Sequence, residues 1–110
     1  MALNKKNRLK KKKDFEIVFK KGKAIKGNFL FAKYFRNSLE FPRIAFVVSL
    51  KISKKAVIRN RIRRIISEIV SRNLKKIQSV DIIMIADRRI LGAPRDEIIR
   101  DTEAIIKNIK

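Results

Sequence analysis

The chain contains one segment, residues 54–69, in which a basic stripe and an apolar stripe share helical spacing. Drawn as an α-helix, the segment places isoleucines along one face, at the intervals of a buried stripe. The neighbouring face carries guanidinium groups, which are planar forks that pair with phosphate oxygens. The segment therefore predicts a helix that is anchored in a core and presents a polyanion-binding surface. The apolar face holds Ile58, Ile62, Ile65, Ile66 and Ile69, and the basic face holds Arg59, Asn60, Arg63, Arg64 and Ser67.

The net charge of +20 over 110 residues narrows the classes of partner. Such a charge opposes compaction, and binding to nucleic acid or to an anionic membrane would relieve it. Hydrophobic residues make up 45% of the chain, enough for a core, so we expect a single domain over residues 1–110. No apolar run is long enough to span a bilayer, and the residues after Lys5 and Lys6 do not resemble a signal peptide. Cysteine is absent, which fits a cytoplasmic location.

The charge is concentrated in two segments. Residues 1–26 carry eleven basic and two acidic residues, and residues 51–76 carry ten and one, whereas residues 77–110 carry six of each. This asymmetry favours a directed binding face over general solubilisation.

The first half of the chain predicts a basic arm, a helix and two strands. Residues 1–13 are rich in lysine without periodicity and predict a flexible arm. A short helix led by Asp14 should end at Gly22. Residues 28–36 and 43–50 predict strands that pair as an antiparallel hairpin. The residue Ile25 either begins the first of these strands or belongs to a separate short one.

The second half predicts a helix, a strand and a final helix. The basic helix should run from about Lys55 to Leu74, with Ser53 as its N-cap. The apolar run Val80 to Ala86 predicts a strand buried on both faces. After a loop, Pro94 should occupy the first turn of the last helix. Its buried stripe consists of Ile98, Ile105, Ile106 and Ile109. Helices packed on one sheet make this a small α/β sandwich.

Catalysis by protein side chains is not expected. Histidine and cysteine are absent, and three scattered glycines cannot form a phosphate-cradling loop. The acidic residues are dispersed, and four of them predict only a solvated face of the last helix: Asp96, Glu97, Asp101 and Glu103. Aromatic residues can either fill the core or stack on unpaired bases. The aromatic candidates are Phe15, Phe19, Phe29, Phe31 and Tyr34.

Several motifs resemble the protein subunit of bacterial ribonuclease P. The segment Ala56 to Ile66 is similar to the Arg-Asn-Arg signature helix of that family. Arg8-Leu9-Lys10, Asp14-Phe15, Val18-Phe19-Lys20 and Gly22 resemble its N-terminal pattern. Two further segments also resemble the family. The first is Val47-Val48-Ser49 with Lys51, and the second is Asp81-Ile82-Ile83 with Ile85, Ala86 and Arg88. The resemblance covers nearly the whole chain, and Ser67 stands where the family often has arginine.

The resemblance implies an α+β fold of order α-β-β-β-α-β-α, like that of the second domain of ribosomal protein S5. The signature helix would lie in a left-handed crossover, whereas the general expectation is right-handed. The family's catalytic RNA binds Mg²⁺ and removes the 5′ leader of precursor tRNA. The expected partners are therefore that RNA and precursor tRNA, with no membrane and no obligate protein partner.

The resemblance also implies two groups of site residues. Single-stranded leader would lie in a cleft lined by Phe15, Phe19 and a strand residue, which is Lys33 or Tyr34. The remaining candidates would contact RNA phosphates, and no residue is assigned to catalysis or to metal. These RNA-contact candidates are Arg59, Asn60, Arg61, Arg63, Arg64, Lys54, Lys55, Lys51, Arg8 and Lys12.

Two alternatives compete with this interpretation. A ribosomal or general RNA-binding protein without an enzyme partner fits the size and charge equally well. A protein nuclease that acts alone would cleave precursor tRNA in the absence of a catalytic RNA. A membrane-surface role is less favoured, because the basic helix carries the apolar stripe that a folded core needs.

Overall fold

The computed structural model describes residues 3–109. They form helices and strands in the order α-β-β-β-α-β-α, which confirms the predicted fold class. Short 3-10 turns lie at Lys5–Asn7, Leu74–Lys76 and Arg88–Ile90. The elements are α1 Lys12–Lys21, β1 Lys23–Lys26, β2 Leu30–Arg36, β3 Arg43–Val47, α2 Ala56–Arg72, β4 Val80–Ala86 and α3 Arg95–Lys107.

The four strands form one mixed sheet in the order β1-β2-β4-β3. Strand β4 pairs antiparallel with β2, where Ala32 is opposite Met84, and parallel with β3, where Ala45 is opposite Ile83. The predicted hairpin between residues 28–36 and 43–50 is therefore wrong, because β4 lies between these strands. The separate short strand that was the second option for Ile25 exists as β1, which pairs with β2.

The central place of β4 follows from its composition. Its bounds agree with the predicted Val80–Ala86, and Ile82, Ile83 and Met84 are fully buried. A strand that is apolar on both faces is stable only where both faces are covered, so it occupies the interior of the sheet. The parallel pair β3–β4 is connected through α2, as a crossover requires. The left hand of this crossover stays a prediction from the resemblance.

Helices cover both faces of the sheet. The larger core lies under α2 and α3, where Ile66 and Ile105 pack with Ile82 and Met84. The smaller core lies under α1 and contains Leu9, Val18, Ala45 and Ile83. We call this second side the α1 face.

The predicted flexible arm is wrong for residues 3–13, and residues 1 and 2 lie outside the described residues. Leu3, Asn7 and Leu9 are buried. The amide of Leu9 donates to the carbonyl oxygen of Ile44 at 3.0 Å, and the side-chain amide of Asn7 donates to that of Pro42 at 2.9 Å. The segment therefore lies along the outer edge of β3, where it covers otherwise unpaired backbone groups.

Helix α1 begins at Lys12, two residues before Asp14, and Gly22 follows its last residue as predicted. A Cβ at Gly22 would lie 2.8 Å from the carbonyl oxygen of Tyr34, so glycine permits the close approach of the helix end to β2.

The connection from β3 to α2 differs from the prediction in two details. Strand β3 ends at Val47, and the buried Val48 and Ile52 anchor the loop that follows. Helix α2 runs over Ala56–Arg72 with Lys55 as its N-cap. Ser53 is not the N-cap. Its hydroxyl oxygen accepts the amide of Lys55 at 3.2 Å, which makes a turn just before the helix.

All four isoleucines of the predicted stripe are buried, but Ile109 lies beyond helix α3, which ends at Lys107. Pro94 is its N-cap rather than a residue of its first turn. Asp101 does not belong to a solvated face. It is buried, and its carboxylate accepts the backbone amides of Asn28, Phe29 and Leu30 at 2.7, 2.9 and 3.2 Å. A Cβ at Gly27 would lie 2.7 Å from this carboxylate.

Replacing Asp101 by alanine should lower the free energy of unfolding by about 2–4 kcal/mol, because amides at the start of β2 would lose a charged acceptor. Urea denaturation measures this change. Asp96→Ala is the matched control, since Asp96 is an exposed acid of the same helix that pairs only with exposed Arg100. Its cost should stay below about 1 kcal/mol. Equal costs for the two variants would contradict the structural role of Asp101.

Candidate nucleic-acid interface

The outer side of α2 presents four of the predicted RNA-contact residues. Asn60 and Arg64 are exposed, while Arg59 and Arg63 are half-buried. The Arg59 guanidinium donates to the carbonyl oxygen of Ser53 at 2.9 Å, and that of Arg63 donates to the side-chain oxygen of Asn60. These bonds hold two of the guanidinium groups in place, which lowers the entropy cost of binding a phosphate.

Arg61 lies apart from this group. It lines a cavity of about 340 Å³ between α2 and the loop after β4, together with Ile62, Leu91 and Gly92. At 100° per residue, Arg61 is far around the helix from Arg59 and Arg63. The signature residues therefore spread over a broad arc of α2 and do not share a single stripe.

Helical spacing predicts Ser67 on the basic face, and this prediction is wrong. It is fully buried, and its hydroxyl donates to the carbonyl oxygen of Arg64 at 3.0 Å. The small hydroxyl is thus satisfied within the helix itself.

The ends of three strands gather further cations at one end of the sheet. Strands β3 and β4 finish there, and β2 begins there, since Leu30 is opposite Ala86. The loop after β3 supplies exposed lysines and leads into the start of α2. We call this region the basic end. It is defined by Lys26, Lys51, Lys54, Lys55 and Arg88, all of which are exposed.

Arg88 and Lys26 were missed as site residues, because only the register of the strands places them at the basic end. Arg89 is less available than Arg88, because it pairs with Asp87 at 3.0 Å. The hydrogen bond from the Arg89 side chain lowers the pKa of Asp87.

The α1 face carries exposed aromatic rings beside an ammonium group. Phe19 is 43% exposed, and Phe31, on β2, is 36% exposed. The ammonium nitrogen of Lys33 lies 5.9 Å from the centroid of the Phe19 ring and donates to the Phe19 carbonyl oxygen at 2.9 Å. Phe15 is half-buried and packs against the smaller core, as do Val47 and Ile85 near the basic end.

Strand alternation separates the two candidates for the strand site. Lys33 lies on the α1 face, two residues from Phe31. Tyr34 points to the other side and is buried in the larger core. Tyr34 is therefore not a surface residue of the α1 face, and Lys33 is the strand residue that can line a cleft there.

The two N-terminal candidates have different environments. The Arg8 guanidinium donates twice to the carbonyl oxygen of Leu3, at 2.9 and 3.1 Å, so it holds the N-terminal segment. Lys12 is exposed in the first turn of α1, three residues before Phe15 and seven before Phe19. Helical spacing therefore puts Lys12 on the side of α1 that carries the phenylalanines.

The arrangement suits the binding of single-stranded RNA. Aromatic rings of the α1 face can stack on unpaired bases, and cations at the basic end can neutralise the phosphates of the same strand. Among residues 3–109, no group of three or more acidic side chains is close enough to hold a metal ion. None of the helices in this range has the length and apolar character needed to cross a bilayer.

Comparisons with known proteins give the family of the chain. A family model described as Ribonuclease P matches residues 3–110. The ribonuclease P protein component of Clostridioides difficile is 35% identical over 111 aligned positions, covering 99% of this chain and 93% of the relative. That of Alkaliphilus oremlandii is 38% identical over 93 positions, covering 84% and 81%.

Solved structures extend the similarity to the fold. The ribonuclease P protein from Staphylococcus aureus superposes with a TM-score of 0.85 at 29% identity, covering 92% of this chain and 93% of that one. The protein from Thermotoga maritima also gives a TM-score of 0.85, at 26% identity and with 94% and 97% covered. The family match over residues 3–110 and these similarities lead to one conclusion: the chain belongs to the ribonuclease P protein family.

Proposed function

We propose that this chain binds the catalytic RNA of ribonuclease P and the 5′ leader of precursor tRNA. As a family member, it is the protein component of an endoribonuclease that processes tRNA. The observation that carries the finer proposal is the half-exposed Phe19 beside the Lys33 ammonium, on a sheet face that leads to the basic end. We assign the leader to this face and the catalytic RNA to the outer side of α2.

The physical role of the protein is to lower repulsion between two RNAs. Two polyanions that must meet repel each other, and a bridge with a net charge of +20 reduces that cost. The exposed rings add a contact that mature tRNA, which lacks the leader, cannot make. This difference gives a preference for the precursor over the product.

The hydrolytic chemistry is assigned to the RNA. The protein offers scattered carboxylates, and the described residues provide no donor set for Mg²⁺. We expect the metal to be held mainly by the RNA, where it would supply an activated water for the hydrolysis. The protein's own residues bind and orient the leader. A cytoplasmic location and the absence of an obligate protein partner stay predictions.

Replacing Phe19 by alanine should reduce the preference of the reconstituted holoenzyme for precursor over mature tRNA. Loss of one stacked base costs about 1–3 kcal/mol, which corresponds to about 5- to 150-fold in affinity. Equilibrium binding of the two tRNAs measures the ratio. Phe41→Ala is the control, because the Phe41 ring also lies beside an ammonium group, that of Lys6 at 5.4 Å, but borders Pro42 and Leu74 instead of the α1 face. An equal loss of the preference for precursor tRNA in both variants would contradict the assignment of the leader to the α1 face.

Replacing Arg64 by alanine should weaken binding to the catalytic RNA and flatten its salt dependence. One lost phosphate contact reduces the slope of log K against log salt by about 0.7 to 0.9. Filter binding over a range of salt concentrations gives this slope. Arg100→Ala removes a charge from α3, where the guanidinium pairs with Asp96 at 2.9 Å, and its slope should equal that of the unchanged protein. An unaltered slope for Arg64→Ala would argue against a phosphate contact.

Reconstitution separates the proposed function from its alternatives. With its catalytic RNA and low Mg²⁺, the protein should accelerate cleavage of precursor tRNA at the 5′ end of the mature sequence. The protein alone, freed of RNA, should not cleave. Cleavage by the protein alone would establish a protein nuclease. Co-purification with ribosomal subunits instead of one catalytic RNA would favour a ribosomal protein.

A further inference from the structure

The guanidinium group of Arg43 connects three elements of the fold. Its Nε and Nη2 donate to the two carboxylate oxygens of Asp81 at 2.9 and 2.7 Å. Its Nη1 lies 3.3 Å from a carboxylate oxygen of Asp14. Arg43 belongs to β3, Asp81 to β4 and Asp14 to α1, so one side chain links the helix to two strands.

The orientation of this guanidinium is fixed before it meets α1. The paired bonds to Asp81 set the plane of the group. Asp81 is itself held, because one of its oxygens also accepts the side-chain amide of Asn37 at 2.9 Å. The hydrogen bond to Asp81 raises the pKa of Arg43, so the group stays charged throughout the accessible pH range. Arg43 therefore presents a fixed donor to Asp14.

Helix α1 depends on this donor for its rotation about its own axis. In α1 only Val18 is fully buried, and Phe15 is half-buried against the same small core, so apolar contacts alone define the rotation of the helix loosely. Asp14 immediately precedes Phe15, and the two side chains point about 100° apart around the helix. A fixed Asp14 therefore sets where Phe15 and Phe19 lie above the sheet.

We propose that Arg43 and Asp14 are positioning residues for the leader: their ion pair fixes the rotation of α1 and thereby places the phenylalanine rings at the α1 face. This inference rests on the proposed function. Arg43 is not a phosphate contact, because each of its three guanidinium nitrogens lies against the carboxylate of Asp81 or Asp14. Its side chain is also only 21% exposed.

Electrostatics and positioning predict opposite signs for the removal of Asp14. The variant Asp14→Asn makes a protein of net charge +20 more positive, so electrostatics alone would tighten its binding to any RNA. Loss of the fixed rotation should weaken leader binding instead. Asparagine matches the shape of aspartate, so the fold should survive the change.

The experiment uses the holoenzyme reconstituted with its catalytic RNA. Precursor tRNA with a full leader, precursor with the leader cut to a single nucleotide, and mature tRNA are compared by equilibrium binding. In Asp14→Asn, affinity for the full leader should fall about three- to tenfold, and affinity for the other two tRNAs should not fall. Asp96→Asn is the charge-matched control, and its affinity for the full leader should not fall.

A second variant tests the geometry at constant charge. Arg43→Lys keeps one cation but cannot bind Asp81 and Asp14 together through a planar fork. It should also lose affinity for the full leader, and the double variant Asp14→Asn/Arg43→Lys should lose no more than Arg43→Lys alone. Circular dichroism confirms that each variant is folded.

Several outcomes overturn the proposal. The proposal is wrong if Asp14→Asn binds the full leader as tightly as the unchanged protein or more tightly. It is also wrong if Asp96→Asn weakens binding of the full leader to the same extent. Additive losses in the double variant would also overturn it, since they would show that the two residues act separately. Failure of the proposed function gives a different result: the holoenzyme with the unchanged protein would then bind precursors with full and shortened leaders equally.

Discussion

The fold depends on the burial of β4 between β2 and β3. Its residues Ile82, Ile83 and Met84 have no exposure, and both of its edges are paired. Because β4 runs parallel to β3 and antiparallel to β2, the ends of β3 and β4 coincide with the start of β2. This pairing creates the basic end, and it also sets the α1 face on the side away from α2. The basic end and the α1 face are thus consequences of one strand's place in the sheet.

The outer side of α2 and the α1 face differ in how they arrange their cations. On α2, guanidinium groups stand on a rigid helix, and two of them are held by hydrogen bonds to Ser53 and Asn60. On the α1 face, cations are fewer, and the contact area comes from rings that remain half-exposed. Acidic residues are used to organise the scaffold: Asp81 and Asp14 bind Arg43, while Asp101 binds backbone amides. Each buried carboxylate thus has donors that satisfy it.

Local patterns in the sequence predicted the elements well and their pairing poorly. The uninterrupted apolar run of β4 and the isoleucine stripe of α3 are local signals. The bounds of β4 were predicted correctly, and the stripe was correct except that Ile109 lies beyond the helix. The partner of β2 depends on β4, which is distant in sequence, so no local signal excluded the hairpin with β3. The arm was misjudged because Leu3 and Leu9 are too sparse to form a period. Asp101 could have been found, since it lies three residues after Ile98 and four before Ile105, on the buried side.

For the site, residue types were predictable and their directions were not. Sequence placed Arg59, Arg63 and Arg64 on the outside of a helix, and the structure agrees. It could not decide between Lys33 and Tyr34, because a shift of one residue reverses the face of a strand. Ser67 and Arg61 show the limit of helical spacing, since the neighbours of a helix decide which flank is open. The hand of the crossover has no local signal at all.

The interior position of β4 has a consequence for synthesis of the protein. Strands β2 and β3 leave the ribosome well before residues 80–86. Until those residues emerge, β2 can pair only with β1, and β3 can pair only with the N-terminal segment. The nascent chain therefore exposes strands with unpaired edges and a strongly cationic helix close to ribosomal RNA for most of its translation. Folding of the sheet should therefore be a late event, as expected where pairing spans long separations in sequence.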